Sequence, residues 1–251
     1  MFQKSVWEKE YQNPLLVTGG LEPQNDFKRF IKWLRKDRKL SLEGLRVLDL
    51  GSGLGKNAIF LAERGAVVTG MEISEKAIEI ALERARQVNI HVIIIPEEIS
   101  MYLDSDSHGN DTLGVVTFLH ADIGALYPFK DNSFNLVLDV ISSNSLNEKG
   151  REVYIKEVQR VLKSGGYFFV RALAKDGDKN AENLLTLHPG KEKDTYIMPE
   201  LGLTERVFSK EDFAATYSKY FTIEQLLKKS GYAIFKDKPY KRNYWLGYMQ
   251  K

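Results

Sequence analysis

Short apolar runs alternate with segments of helical period over most of the chain. The runs are LRVLDL (45–50), AVVTGMEI (66–73), GVVTFLHADI (114–123), SFNLVLDVI (133–141) and YFFVRAL (167–173). Near-continuous apolar runs of this length are typical of parallel strands that are buried on both faces. Because helical segments separate them, the pattern predicts an α/β fold in which helices cover a mainly parallel sheet.

Polar residues mark where several of the intervening helices begin. Ser74 is suited to cap the helix after the second strand, because its hydroxyl can accept a bond from a free backbone amide. Ser209 and Asp212 have the spacing of a capping box at a later helix. The amphipathic segment 151–163 is predicted to end at the Gly165-Gly166 pair, just ahead of the fifth strand.

The remaining segments depart from this alternation. Residues 1–44 contain a helical pattern but no strand-like run, so we expect an N-terminal helical cap. Residues 90–113 delay the third strand with a proline and a polar, acidic stretch, which predicts an inserted segment with a mobile loop. The two terminal runs, FTIEQLLKKSGY and NYWLGYMQK, predict an antiparallel pair of strands joined by the basic, turn-rich KDKPYKR. We therefore expect one domain over 1–251, made of the cap 1–44, a core 45–174 with the insert 90–113, and a final part 175–251.

Composition narrows the class of protein without naming its chemistry. The 251 residues include 36 basic and 34 acidic side chains, a net charge of +2, and 43% hydrophobic residues. This balance is typical of a folded globular protein and does not predict a polyanionic partner. No apolar run approaches the roughly 20 residues of a membrane span, and the N-terminal stretch lacks the apolar core of a signal peptide. The absence of cysteine excludes disulfides and thiolate chemistry, so we expect a cytoplasmic protein.

A glycine-rich loop follows the first strand in VLDLGSGLGKNA (47–58). Glycines 51, 53 and 55 allow a tight strand-to-helix turn and the close approach of a ligand, although a turn alone explains them as well. The nicotinamide-type pattern G-x-G-x-x-G would place its third glycine where Lys56 stands. Asp49, two residues before the loop, would repel a pyrophosphate but suits a cofactor that carries an ammonium and a sulfonium group.

Two further acids close the next strands. Glu72 ends the second strand, at about the distance from the glycine loop where an acid accepts the ribose hydroxyls of an adenosine cofactor. Asp122 closes the third strand, where its carboxylate could accept a bond from an adenine amino group while the Ile123 amide meets a ring nitrogen. Three acids at successive strand ends therefore indicate an adenosine site.

With these motifs in order, the chain resembles the class I S-adenosylmethionine-dependent methyltransferases that act on small molecules. VLDLGSGLG is similar to the first motif of that family, VVTGMEIS to its ribose acid, FLHADIGALYPFKDNSFNLVLD to its adenine loop and fourth strand, and EVQRVLKSGGYFFVRAL to the fifth strand with its helix. The departures are the insert 90–113 and Asn135, where the family more often has an acid. The resemblance implies a Rossmann-like, doubly wound, mostly parallel sheet of seven strands, with an antiparallel C-terminal strand and helices on both faces.

The resemblance also implies S-adenosyl-L-methionine as cofactor, and it assigns residues to each of its parts. Asp49 and the loop would hold the methionine part, Glu72 with Ile73 the ribose, and Asp122 with Ile123 the adenine. Asp139 and Val140 would lie beside the methionine amine and the methyl donor. The loop residues that this assignment includes are Gly51, Ser52, Gly53 and Gly55.

Direct methyl transfer needs in-line approach of a nucleophile, and it needs a general base only if the acceptor starts protonated. Four candidate bases are Tyr11, His120, His188 and Tyr196, and each has a simpler explanation in packing or in a loop position. We also expect Trp7, Tyr11, Tyr196 and Arg206 to contact the acceptor. A magnesium site built from Asp139, Asp176, Asp178 and Asn180 is a weaker alternative, since KDGDKN reads more simply as a polar turn, and we predict no metal.

The acceptor itself has two competing classes. The fourth strand runs into DVISSNS rather than the N-P-P-Y type of sequence found in enzymes that methylate adenine or glutamine amides, which favours another small molecule. The segment 228–251 mixes seven basic residues with aromatic ones, so an RNA acceptor is the alternative. A non-catalytic adenosine-binding protein fits the same motifs. The sequence predicts no membrane partner and carries no signal for an oligomeric state.

Overall fold

The computed structural model describes residues 3–16, 20, 22–88, 90–93 and 114–251, and the structural statements below concern these residues. Ten strands are formed within them. Their bounds are β1 Arg46–Leu50, β2 Val67–Glu72, β3 His91–Val92, β4 Val115–His120, β5 Phe134–Val140, β6 Leu162–Leu173, β7 Thr195–Met198, β8 Leu203–Arg206, β9 Thr222–Phe235 and β10 Lys238–Gln250.

The main sheet has eight strands in the described ranges, in the order β3-β4-β2-β1-β5-β6-β10-β9. The strands from β3 to β6 pair in parallel, whereas β10 runs antiparallel to both β6 and β9. The predicted α/β class and the antiparallel end of the sheet are therefore confirmed. The expected number of seven strands is one too low. His91 and Val92, which were assigned to the insert from the sequence, form a short edge strand beside β4.

Seven helices are formed in the same ranges. Ser74 caps one of them by accepting a bond from the Ala77 amide at 3.1 Å, and Ser209 caps another through the Asp212 amide at 3.1 Å, as predicted. The bounds are α1 Lys4–Gln12, α2 Asn25–Asp37, α3 Lys56–Ala62, α4 Glu75–Gln87, α5 Glu148–Val161, α6 Lys179–Leu187 and α7 Lys210–Tyr217. None of the helices described is long and apolar enough to cross a membrane.

Two boundaries differ from the sequence expectation. α5 begins before residue 151, because the Asn147 side chain caps it by accepting a bond from the Gly150 amide at 2.8 Å. It ends at Val161, so the Gly165-Gly166 pair belongs to β6 rather than to a loop. The β7–β8 hairpin, which pairs antiparallel apart from the main sheet, has no counterpart in the prediction.

Alternate side chains of the strands enter cores on opposite faces of the sheet. Val47 packs with Phe30 and Leu34 of α2, whereas Leu48 packs with Tyr154 of α5. All of these side chains are fully buried. This alternation follows from the two-residue period of a strand and explains why the strand segments are apolar at nearly every position.

The terminal pair of strands is longer than expected. Only Lys236 and Asp237 form its turn, with φ angles of 50° and 59°, and Lys238 already pairs with Phe235. Positive φ at both central residues is typical of the tight turns that join antiparallel strands. The segment KDKPYKR is therefore mostly strand, and the Lys236 amide donates to the Leu15 carbonyl at 2.9 Å, which ties the hairpin tip to the N-terminal segment.

Candidate active site

The loop after β1 turns tightly over the carboxyl ends of the parallel strands. Gly51 and Gly53 have φ angles of +63° and +54°. A Cβ atom on Gly51 would come within 2.3 Å of the Ser142 Cβ, and one on Gly53 within 2.7 Å of the Tyr11 hydroxyl oxygen. The positive φ angles favour glycine at both positions, and at Gly51 the nearby Ser142 Cβ leaves no room for a side chain. Gly51, Ser52 and Gly53 form one wall of a cavity.

Glu72 lies at the end of β2 with its carboxylate turned to this loop. It accepts hydrogen bonds from the backbone amides of Gly53, Ile73 and Ser74 at 2.8, 2.9 and 3.0 Å. The side chain is only 4% exposed. Burial raises the pKa of the Glu72 carboxyl, while the three amides oppose that effect. The strand end thus holds an acid in one fixed orientation at the cavity wall.

Asp49 is buried beneath the loop and does not line the cavity. Its Oδ2 has no hydrogen-bond partner within the described ranges. Burial, together with the nearby Asp139 and Glu72 carboxylates, raises the pKa of Asp49 to about 7. This excess of negative charge around the loop fits a ligand that brings positive charge, such as the ammonium and sulfonium groups of S-adenosylmethionine.

The cavity has a volume of about 470 Å³ and runs from the glycine loop to the hairpins β7–β8 and β9–β10. Besides the loop, most of the predicted cofactor residues line it. These are Glu72, Ile73, Asp122, Ile123 and Val140. Asp122 is held by the Gly124 amide, which donates to its Oδ1 at 2.8 Å. Trp7 and Tyr11 of α1 cover the same cavity from the other side.

Asp139 and Gly55 were expected from the sequence to contact the cofactor, but neither residue lines the cavity. The Oδ1 atom of Asp139 accepts bonds from the Ser142 amide, the Ser142 hydroxyl and the Ser143 amide, and its Oδ2 accepts the Tyr154 hydroxyl. Oδ1 therefore holds the turn after β5, and Oδ2 is bonded to Tyr154 of α5. Gly55 packs against Phe118.

The structure removes three of the four candidate bases from the cavity. The ring of His120 is bonded through Nε2 to the Ile73 carbonyl at 3.1 Å, and His188 lies exposed at the end of α6. Tyr196 is buried and donates to Glu205 at 2.7 Å. Tyr11 does line the cavity, but burial and the Glu72 carboxylate raise its pKa well above the usual value, so its phenol keeps its proton.

Arg206 and the residues of the weaker magnesium alternative also have structural partners. Arg206 donates to Asp212 Oδ2 at 2.6 Å and does not line the cavity. Asp178 caps α6 through the Ala181 amide and binds the guanidinium of Arg242 at 3.1 Å. Among the residues described, no group of three or more His, Asp or Glu side chains is suited to hold a metal ion.

Sequence reasoning missed the far end of the cavity. Glu205 on β8 and Arg242 on β10 line it, and both are almost completely buried, at 5% and 2% exposure. No motif connects these two residues, because they are far apart in the sequence. In the sequence analysis, Arg242 was only one of the seven basic residues of segment 228–251. The aromatic residues at this end are Tyr232, Tyr240 and Tyr244.

Comparison with known proteins agrees with this architecture. Residues 48–170 match the family model of the methyltransferase domain. The chain is 30% identical over 154 residues to sterol 4-C-methyltransferase strm-1 of Caenorhabditis elegans, covering 60% of this chain and 39% of that protein. It is 37% identical over 87 residues to a ubiquinone biosynthesis O-methyltransferase of Dechloromonas aromatica, covering 30% of this chain and 37% of that one. The chain thus spans well under half the length of these relatives.

Solved structures share the fold over nearly the whole chain. A SAM-dependent methyltransferase of Methanosarcina mazei superimposes with a TM-score of 0.68 at 23% identity, covering 92% of this chain and 98% of that one. The 1,6-didemethyltoxoflavin-N1-methyltransferase of Burkholderia thailandensis, solved with bound 1,6-didemethyltoxoflavin and S-adenosylhomocysteine, has a TM-score of 0.65 at 15% identity, covering 99% of this chain and 86% of that one. Together with the ordered motifs and the sheet, the comparisons show that this chain belongs to the class I S-adenosylmethionine-dependent methyltransferases.

Proposed function

We propose that the protein, acting in the cytoplasm, transfers the methyl group of S-adenosyl-L-methionine to a small-molecule acceptor by direct in-line displacement. The observation that carries this proposal is the continuous cavity, which joins the glycine loop and Glu72 to a second end beside Glu205 and Arg242. One end is suited to a cationic adenosine cofactor and the other to a separate small molecule.

The residues of the first end have distinct roles in this proposal. Glu72 binds the ribose, Asp122 and the Ile123 amide bind the adenine, and the negative charge near Asp49 attracts the methionine part. When bound, the cofactor supplies an electrophilic methyl group on a sulfonium. The protein orients the two reactants and excludes water, since positioning supplies most of the catalysis in a displacement of this kind.

The structure favours a small acceptor over RNA. Four of the seven basic residues between 228 and 251 are engaged within the protein: Lys228 and Lys251 donate to backbone carbonyls, Lys236 pairs with Glu200, and Arg242 is buried against Asp178. The segment therefore offers few free cations for phosphates. Relatives named for sterol, ubiquinone and fatty-acid methylation also support a small acceptor.

The cofactor site is tested by calorimetry with S-adenosylhomocysteine. Glu72→Ala is expected to weaken binding by at least about tenfold, since it removes an acceptor for charge-assisted bonds to the ribose. The matched control is Glu75→Ala, which removes an exposed acid on the next helix that pairs with Lys4 at 2.9 Å. Equal affinity of the wild-type protein and Glu72→Ala would remove Glu72 from the site.

The acceptor class is tested by incubating the protein and radiolabelled methyl donor with a metabolite extract and, in parallel, with total RNA. Label is expected in the small-molecule fraction. Label found in RNA alone would contradict the proposal. Cofactor binding without transfer to either fraction would favour a non-catalytic adenosine-binding protein.

A further inference from the structure

The second end of the cavity lies close to the methionine end of the expected cofactor site. β8 packs against the turn after β5, where the Asn144 side chain donates to the Arg206 carbonyl at 2.9 Å. The Gln3 side chain donates to the carbonyls of Ser145 and Thr204 at 2.7 and 2.8 Å. Ser142 of this turn adjoins Gly51 of the glycine loop, which is expected to hold the methionine part of the cofactor. Glu205 on β8 therefore lies on the methionine side of the cavity.

Glu205 and Arg242 are held together by one hydroxyl group. Tyr196 donates to Glu205 Oε2 at 2.7 Å and accepts a bond from Arg242 Nη1 at 3.0 Å. Asp178 fixes the guanidinium by accepting from Arg242 Nε at 3.1 Å, and it also accepts from the Asn243 amide at 2.6 Å. Such a connected polar cluster holds its members rigid in a buried setting.

Each of the two charged groups has bonding capacity left over. Arg242 Nη2 is buried and makes no hydrogen bond of good geometry with a described residue, although the Tyr240 hydroxyl lies near the guanidinium. In the same ranges, Glu205 accepts a bond only through Oε2, so Oε1 is open. A single ligand hydroxyl satisfies both groups, because it donates its hydrogen to Glu205 and accepts from Arg242. A carboxylate fits less well, since Glu205 repels it.

Aromatic side chains surround this pair. Tyr240 and Tyr244 line the cavity, and the guanidinium of Arg171 lies 3.5 Å from the centre of the Tyr244 ring. Tyr232 of β9 lines it as well, although this residue is 75% exposed. Because Arg171 covers one face of Tyr244, Tyr232 and Tyr240 are the better placed to face a flat, aromatic ligand.

We infer that the acceptor is a neutral phenol, whose hydroxyl is bound between Glu205 and Arg242, and that Glu205 is the general base of the transfer. This inference rests on the proposed function and names its substrate class. In the step, the phenol O–H bond breaks and its proton passes to the Glu205 carboxylate. The oxygen forms the new bond to the methyl carbon while the S–C electron pair stays on sulfur, so sulfonium and carboxylate become thioether and carboxylic acid.

The surroundings of Glu205 are suited to this role. Burial raises the pKa of its carboxyl, which Arg242 and Tyr196 oppose. The other groups that face the cluster are Tyr240 and, behind the guanidinium, Asp178. A carboxylate with a raised pKa is a stronger base towards a phenol, and the Arg242 guanidinium stabilises the negative charge that develops on the oxygen.

The test measures binding rather than turnover. Calorimetry on the full chain, saturated with S-adenosylhomocysteine, compares 4-nitrophenol with nitrobenzene, which lacks the hydroxyl. The wild-type protein is expected to bind 4-nitrophenol at least about tenfold more tightly, because only the phenol bonds to both charged groups. Glu205→Gln and Arg242→Lys are each expected to remove that preference and leave nitrobenzene binding unchanged. Absorbance should show the phenolate band of the bound probe appearing at lower pH in Glu205→Gln than in the wild-type protein, because the variant loses the carboxylate that repels the anion and keeps the Arg242 guanidinium.

Glu211→Gln, an exposed change on α7, is the matched control and should behave as the wild-type protein does. S-adenosylhomocysteine affinity, measured on every variant, reports whether each one is folded. If Arg242→Lys does not fold, the result for Glu205→Gln alone decides the test. Intact S-adenosylhomocysteine binding without preference for 4-nitrophenol, or with a preference that Glu205→Gln keeps, overturns the phenol site alone. A wild-type protein that does not bind S-adenosylhomocysteine overturns the proposed function and this inference with it.

Discussion

At the scale of single residues, Asp49 carries a buried carboxyl group close to two other acids. Its folded-state pKa of about 7 lies well above the ordinary value of 3.8. The folded protein therefore holds this proton more tightly than the unfolded chain does. The contribution of Asp49 to the free energy of unfolding is expected to fall as the pH rises from about 4 to about 7, and to stay lower above that range.

Asp49→Asn is expected to stabilise the ligand-free protein at pH 8, because the amide removes the cost of ionising a buried acid. A shift of this size corresponds to at most about 4 kcal/mol. A rise in Tm of about 5 °C at pH 8 and no rise near pH 4, measured by thermal melts, would agree with this expectation. S-adenosylmethionine binding should weaken in the same variant.

The exposed Asp37→Asn on α2 serves as the control for the loss of one negative charge. If Asp49→Asn and Asp37→Asn change the melting temperature alike at pH 8, burial of Asp49 is not the cause.

Gly53 offers a second residue-scale prediction. Gly53→Ala should weaken S-adenosylhomocysteine binding, since the new Cβ would lie 2.7 Å from the Tyr11 hydroxyl oxygen, on a backbone with φ of +54°, and would displace this tyrosine from the cavity wall. Calorimetry measures the effect. Gly165→Ala is the control, because it has a similar φ of +76° but open space around the added Cβ. It is expected to cost about 1 kcal/mol of stability and no affinity, and an equal loss of affinity would refute the steric explanation.

At the scale of elements, Ser74 connects α1 to α4. Its hydroxyl accepts the Ala77 amide at 3.1 Å as the cap of α4 and donates to Glu8 of α1 at 2.7 Å. The cap was readable from sequence, because serine before an apolar helical pattern is a local signal. The contact with Glu8 could not be predicted from sequence, since it joins residues from distant parts of the chain.

Ser74→Ala is therefore expected to lower the free energy of unfolding by about 1 kcal/mol and also to weaken S-adenosylhomocysteine binding. Urea unfolding and calorimetry measure the two effects. Ser209→Ala removes the cap of α7 in the same way and has no described contact with α1. It should lose similar stability with unchanged affinity, and the prediction fails if both variants keep full affinity.

At the scale of the whole molecule, distant segments of the chain close the cavity together. Gln3, ahead of α1, bonds through its amide nitrogen to the Ser145 and Thr204 carbonyls, and its Oε1 accepts the Thr204 amide at 2.6 Å. The hairpin tip is tied to the same N-terminal segment at Leu15. Segments before the first strand and after the last parallel strand thus form the walls of one site.

Gln3→Ala is expected to loosen this closure. Hydrogen exchange of the α1 amides should accelerate, and S-adenosylhomocysteine affinity should fall by roughly threefold to tenfold, since three buried or half-buried bonds are lost. Lys9→Ala, an exposed change on the same helix, should alter neither measurement. Unchanged exchange in Gln3→Ala would show that these bonds do not control the closure.

Sequence patterns predicted most of the fold and the first end of the site. The strand runs, the capping serines and the acids Glu72 and Asp122 were found because local period and motif spacing determine them. The structure placed Asp139 and His120 outside the cavity, since a strand end does not reveal which neighbours its side chain will meet. Most of the acidic insert, residues 94–113, lies outside the described residues, so its predicted mobile loop stays a prediction.

By itself, then, the sequence determined the α/β class and the glycine loop after the first strand, because both depend on residues that are neighbours along the chain. Only the tertiary structure brought Glu205, Tyr196 and Arg242 into one hydrogen-bonded cluster. Each comes from a different strand, and their chemistry arises from burial and mutual contact, neither of which has a local signature. The proposed cofactor end could therefore be predicted from residues that are close in sequence, whereas the proposed acceptor end depends on contacts that only the tertiary structure creates.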